Sequence, residues 1–181
     1  MNMKRIIKKN ITIVTESEFD AEILKKIFSD KKSNLDIQIL PAYGYSSALS
    51  KVKSLLTLRK ENILLLLDTD TIEINEIKQK EDFVNSYINI NLNKDNFKTF
   101  WAVPEFEIIF LNNKLFLTEL MAKKRISKDL LEIAKTSPKN VLEMISKKRR
   151  KDFIIYLDKK EVRDEFFKEG LIKEIYEYAT K

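Results

Sequence analysis

At 181 residues with 44% hydrophobic content, the chain suits one domain, with room for a small appendage, and has the apolar material for a real core. Two glycines and three prolines argue against a loop-rich or all-β fold. The absence of cysteine and histidine removes disulfides, thiolate zinc sites, cysteine nucleophiles and the commonest general base, so any catalysis rests on carboxylates, lysines, hydroxyls, backbone groups or a hard metal ion.

The net charge of +6 is unevenly placed. Leu120 to Lys151 holds eleven basic and three acidic residues, a net of +8, which leaves the remainder at about −2. Residues 1–10 carry charge without a long apolar run before a small-residue cleavage site, so no signal peptide is expected. The longest apolar run, Ile63 to Leu67, is far too short to span a membrane, and the expectation is a soluble cytoplasmic protein.

In chain order, the β-branched run Ile11 to Val14 predicts a buried strand, and the apolar stripe Phe19, Ile23, Leu24, Ile27 and Phe28 predicts a helix. Asp36 to Leu40 is a second strand, stopped by Pro41 and a Tyr43-Gly44-Tyr45 turn, with Ser46 or Ser47 as the cap of a helix to about Leu58. Ile63 to Leu67, apolar at every residue, predicts a strand buried on both faces, as in a parallel sheet covered by helices. Glu73 to Ile90 is expected to be helical and Asn91 to Asn96 a loop. Phe97 to Val103 is a fourth strand ended by Pro104, which also suits the first turn of a short helix, Glu105 to Leu111.

Beyond this, Ser127 to Lys135 and Ser137 to Ser146 read as helices. Phe153 to Leu157 is either a strand or a buried helical turn, and Glu161 to Tyr178 is an amphipathic helix with a possible break at Gly170. The alternation predicts an open, mainly parallel α/β sheet of about four strands flanked by helices, with a mostly helical basic C-terminal extension. The expected division is a core over 1–118 and an extension over 119–181 packed on it.

Ligands of open parallel sheets bind at the carboxyl ends of the strands. Here those ends finish in carboxylates: Glu16 and Asp20 after the first strand, Asp68 and Asp70 after the third, Glu105 and Glu107 after the fourth. Extended residues two apart share a face, so Asp68 and Asp70 are expected to point the same way. Asp20, four residues after Glu16, falls on the same face of its helix. Several carboxylates at one point repel, and a bound hard cation offsets that cost; oxygen donors without His or Cys select Mg²⁺, Mn²⁺ or Ca²⁺. Acidic residues at helix starts also favour the helix dipole without any function, so each pair alone says little. Two pairs after two strands say more.

The segment Ile11-Thr-Ile-Val-Thr-Glu-Ser-Glu-Phe-Asp20 resembles the first motif of the Toprim superfamily, and Ile63-Leu-Leu-Leu-Leu-Asp-Thr-Asp70 resembles its second, Asp-x-Asp motif. Val103-Pro-Glu-Phe-Glu107 resembles, less specifically, a segment of the overcoming-lysogenization-defect (OLD) nucleases and related stand-alone Toprim proteins. The resemblance covers about Lys8 to Leu111. It implies a Toprim-like metal-binding core and a Mg²⁺- or Mn²⁺-dependent endonuclease acting on DNA or RNA, as an effector in a phage-defence-type system. It implies that Glu16 is either a metal ligand or the general base, with Asp20, Asp68 and Asp70 as further ligands. Glu105 and Glu107 are candidate ligands too, and Glu73 either supports a second metal or begins a helix.

Ser17 departs from the family's usual glycine, and the pattern of the 5S ribosomal RNA maturases after Asp-x-Asp is missing. A topoisomerase needs a tyrosine nucleophile on a further domain and a primase a polymerase fold around the motif; neither is expected in this length. The alternative is a non-catalytic Toprim-like subunit that binds metal or nucleic acid. The chain has no Gly-rich phosphate loop, so an ATPase would act in trans.

Two basic clusters, Lys123, Lys124 and Arg125, and Lys147, Lys148, Arg149, Arg150 and Lys151, are candidate phosphate contacts, with solvated helix ends as the plain alternative. Runs of adjacent charges are rarely buried, so exchanging Arg149 and Arg150 for Ala is expected to leave the fold intact. Tyr43 and Tyr45 suit a turn with two packed aromatics better than base stacking. Trp101 and Phe110 read as core, and Tyr156, Tyr176 and Tyr178 as packing or interface residues.

Overall fold

The computed structural model describes residues 9–31, 35–59, 61–88, 96–121 and 126–181. Its centre is a four-stranded, all-parallel sheet in the order β2-β1-β3-β4: β1 Lys9–Thr15, β2 Leu35–Pro41, β3 Asn62–Asp68 and β4 Phe97–Ala102. Helices α1 (Glu18–Ile27), α2 (Tyr45–Leu58) and α3 (Ile74–Ile88) make the crossovers. Short helices follow: α4 (Ile108–Asn112), α5 (Lys114–Met121), α6 (Lys128–Ala134), α7 (Pro138–Ser146), a 3-10 segment (Arg150–Asp158), α8 (Lys160–Glu165) and α9 (Leu171–Thr180). This is the open parallel α/β architecture with a helical C-terminal part that the sequence predicts.

The strand period of two sorts the core into two layers. Ile11, Ile13, Leu64, Leu66, Phe100 and Ala102 join one cluster with α1 and the C-terminal helices. Val14, Ile63, Leu65 and Leu67 join the other, with Ala48, Leu49 and Val52 of α2 and Val84 and Ile88 of α3. The all-apolar β3 serves both, so each of its five core residues is buried. The first layer runs on without a break into the C-terminal part, where Phe110, Phe116, Phe153 and Phe166 pack ring on ring, Phe110 and Phe116 with centroids 4.5 Å apart. The boundary expected after residue 118 falls inside α5.

Several local expectations change. Gly44, not Ser46 or Ser47, caps α2. Pro104 does not start a helix: its peptide with Val103 is cis, its carbonyl accepts the Asp70 N–H at 2.8 Å, and the next helix begins at Ile108. Of the two alternatives for Phe153 to Leu157, the buried helical turn is the one found: Phe153 and Leu157 are buried in 3-10 structure. The break expected in the last helix at Gly170 is present, and the φ of +74° there falls in the region where glycine is favoured. The end expected for the third helix and the loop after it lie largely outside the described residues.

Candidate functional site

The sheet order reverses between β1 and β3, whose carboxyl ends therefore lie side by side with crossovers leaving in opposite directions. Glu16 sits just past β1. Its backbone is pinned from two sides: Thr15 Oγ1 donates to the Ser17 carbonyl at 2.8 Å, and the Gly44 N–H donates to the Glu16 carbonyl at 2.9 Å. Its side chain is half-buried, and Oε2 is buried without a hydrogen-bond partner. Burial and the Asp70 charge push its carboxyl above the usual range, against the pull of the Asp68 backbone and of Lys80.

Asp20 combines the structural and the electrostatic roles. Ser17 caps α1: its Oγ accepts the Asp20 N–H at 3.2 Å, while Asp20 Oδ2 accepts the Ser17 N–H at 3.2 Å. This reciprocal box explains the serine at position 17. Asp20 is only 4% exposed, and burial raises its pKa despite the Ser17 hydrogen bonds and the Arg150 charge.

Asp68 closes β3 in the register of Leu64 and Leu66, so it faces the layer of α1 and α4. Its carboxyl is pushed up to about 8, first by burial and then by the charges of Asp20, Glu107, Glu16 and Asp70. Asp70 does not continue that direction. Its φ of +53° takes the chain out of the extended conformation, so two residues no longer mean one face. The loop is held there by Thr69 N–H to the Ala102 carbonyl at 3.0 Å, Asp70 N–H to the Pro104 carbonyl at 2.8 Å, and Thr69 Oγ1 to the Thr71 carbonyl at 2.6 Å. The exposed Asp70 carboxylate pairs with Lys80 of α3 at 3.0 Å.

Glu107, 1% exposed, receives Arg150 Nη1 at 2.8 Å, and the Arg150 guanidinium lies 4.4 Å from the centre of the Phe19 ring. Burial raises the Glu107 carboxyl while the Arg150 charge opposes the rise. Glu16, Asp20, Asp68, Asp70 and Glu107 thus form one electrostatically coupled group across three strand ends. Glu73 and Glu105 are not among the charges that raise Asp68 most. Glu73 is exposed near the start of α3, and Glu105 accepts the Lys139 N–H of α7 at 3.2 Å.

Among the described residues, no three carboxylates form a ready coordination group. Asp70, Asp20 and Glu107 are turned to Lys80, to the Ser17 N–H and to Arg150. The donor chemistry nevertheless fits a hard divalent cation: oxygen donors alone, an orphaned buried oxygen on Glu16, and mutual repulsion that a cation would relieve.

The basic run does not act as one. Lys148 reaches the Tyr156 hydroxyl and lies over its ring, and Arg150 enters the carboxylate group, while Lys147, Arg149 and Lys151 are exposed. Lys123, Lys124 and Arg125 lie outside the described residues. The turn after β2 has one half-buried aromatic, Tyr45, whose hydroxyl pKa is raised by burial and by the Glu16 charge, and one exposed, Tyr43. Sequence reasoning missed Lys80, because nothing in the sequence brings that turn of α3 to Asp70. It also missed that Arg150 serves the site from within, a distinction invisible inside a run of five like charges.

No family model matches the chain, and no curated protein matches it. Its fold is similar to that of the C-terminal region of the Burkholderia pseudomallei OLD protein, with a TM-score of 0.57 and 11% identity over 96% of this chain and 98% of that one. At that identity the likeness is one of fold: the chain has an OLD-like α/β fold.

Proposed function

We propose that this protein is a divalent-metal-dependent nuclease that hydrolyses phosphodiester bonds of DNA or RNA, with Glu16, Asp68 and Asp70 holding Mg²⁺ or Mn²⁺ and Asp20 and Glu107 behind them. The observation that carries this reading is the coupled carboxylate group at the β1 and β3 ends, with Asp68 held near pH 8 by burial and four like charges. Ordinary folding does not require such a group, and perturbed acids cluster at functional sites. The metal, when bound, supplies a Lewis acid for the phosphate and a more acidic water.

The chain's own residues do the rest. Glu16, where it is not a metal ligand, is suited to accept a proton, because one of its oxygens is unpartnered and its carboxyl is pushed above the usual carboxylate range. Exposed Lys147, Arg149 and Lys151 supply phosphate contacts, which position a strand without reading its sequence. The test is nicking of plasmid DNA and cleavage of single-stranded RNA with Mg²⁺ or Mn²⁺, wild type beside Asp68→Asn. Activity lost in the variant is expected. Equal cleavage by the two proteins, or none by the wild type with either metal, overturns the assignment.

A second reading has its own support. Three of the five carboxylates already have protein partners, which suits a non-catalytic subunit working beside a separate ATPase. Stable complex formation with such a partner, together with no cleavage by the complex, favours it.

A further inference from the structure

We propose that Tyr43 is a stacking platform at the mouth of the carboxylate site, taking the face of an unpaired nucleobase of a single-stranded nucleic acid. The inference deepens the nuclease reading and rests on it. Two large aromatics are exposed among the described residues, Tyr43 at 69% and Phe83 at 54%. Phe83 stacks on Tyr87 with centroids 6.2 Å apart, whereas the Tyr43 ring has no aromatic or cationic contact among the described residues.

The ring is exposed but not loosely placed. Tyr43 has φ of +62°, a left-handed conformation that disfavours any residue with a Cβ and disfavours bulky ones most. The residues on either side hold it there: the Ala42 N–H donates to the Thr15 carbonyl at 2.9 Å and the Gly44 N–H to the Glu16 carbonyl at 2.9 Å. The acceptors are the carbonyls of Thr15, the last residue of β1, and of Glu16 itself. Gly44, at φ of +123°, provides the turn that only glycine makes readily. A mostly exposed aromatic ring held in a costly backbone conformation, on the turn bonded to the Glu16 backbone, contributes little to this fold's packing. Such strain persists mostly at functional positions.

The occupant follows from the neighbourhood. A strand whose phosphate lies at the carboxylates presents bases within one nucleotide of that phosphate. Bases unstacked from a partner strand lie down on aromatic faces, and they do so with little regard to sequence. A duplex offers no free face, so the platform distinguishes single from double strands.

The test uses Tyr43→Gly. Glycine suits φ of +62° and the lost ring is exposed, so the variant is expected to melt at or above the wild-type temperature. Binding of a fluorescein-labelled oligothymidylate and of a labelled duplex is followed by anisotropy across a salt series, with Ca²⁺ in place of Mg²⁺ to hold back hydrolysis. Tyr43→Gly is expected to bind the single strand roughly tenfold more weakly than wild type, with unchanged duplex affinity. The log–log salt slope is expected to stay the same, because no phosphate contact is lost. Tyr43→Phe is expected to bind as wild type. Equal single-strand affinity in wild type and Tyr43→Gly, or an equal loss on duplex, removes the platform while a metal-dependent cleavage lost in Asp68→Asn keeps the nuclease reading. A wild type that binds neither strand overturns both.

Discussion

Asp68 sets the pH behaviour of the metal-free protein. In the unfolded chain its carboxyl ionises near the ordinary value of 3.8, and in the fold only near about 8. Between these values the native state binds a proton that the unfolded state has lost, so the Asp68 contribution to stability is full below pH 4 and is lost as pH rises toward 8. One such group changes stability by at most about 1.4 kcal/mol per pH unit. Glu16, Asp20 and Glu107, each raised by burial, push in the same direction. Thermal melts in chelator across this window are expected to show a falling Tm. Millimolar Mg²⁺ or Mn²⁺ is expected to raise Tm most at the high-pH end, where the ionised carboxylates bind it. Asp68→Asn is expected to flatten the metal-free profile and to blunt the metal response; an unchanged profile would show that Asp68 ionises freely. The sequence gives the residue types and their place at strand ends, and so Glu16, Asp20, Asp68 and Glu107 were legible as one group. It gives neither φ nor partner, which is why the direction of Asp70 and its pairing with Lys80 were not.

Helix α1 shows how an element carries the site. Its first turn holds Asp20 in place through Ser17, so the cap serves folding and positioning together. Ser17→Ala is expected to cost about 1 kcal/mol, and Ser17→Gly only a few tenths, since glycine is an acceptable cap. Denaturant melts of the two variants check this; equal losses would mean that the hydroxyl contributes nothing. The loop from β3 to α3 behaves differently. The Lys80–Asp70 pair is largely solvated, so Lys80→Ala is expected to change stability by less than about 1 kcal/mol. The same variant frees Asp70 of its cation and is expected to tighten Mg²⁺ binding, measured by calorimetry; weaker binding would make Lys80 a positioning residue instead. Legibility also varies by element. Strand β3 was plain because a run buried on both faces must be apolar throughout. Helix α5 was missed although Asn113 signals it: Oδ1 accepts the Phe116 N–H at 2.8 Å, and Nδ2 donates to the Val162 carbonyl at 2.9 Å. The segment Arg150–Asp158 stayed ambiguous because its two fully buried residues, Phe153 and Leu157, are too few to set a period.

Across the whole molecule, the basic C-terminal part and the acidic sheet end meet at Arg150. Its neighbour in sequence is chemically the same and structurally the opposite: Arg149 is exposed, whereas Arg150 spans Phe19 and the buried Glu107. The expectation that both can be exchanged without consequence therefore divides. Arg149→Ala removes a solvated charge and is expected to stay within about 0.5 kcal/mol of wild type. Arg150→Ala leaves Glu107 buried without its cation, beside Asp20 and Asp68, and a broken buried pair costs about 3 kcal/mol or more. Partial exposure of Arg150 and protonation of Glu107 both reduce that figure, the second most strongly at low pH. The stability gap between Arg150→Ala and wild type is accordingly expected to widen as pH rises. Glu107→Gln removes the charge that needs a partner, so in the Arg150→Ala background it is expected to recover much of the loss. A double-mutant cycle in urea at two pH values reads this coupling directly. Additive losses would show that Arg150 acts on Phe19 packing alone, and the joint between the two halves would then be apolar and not ionic.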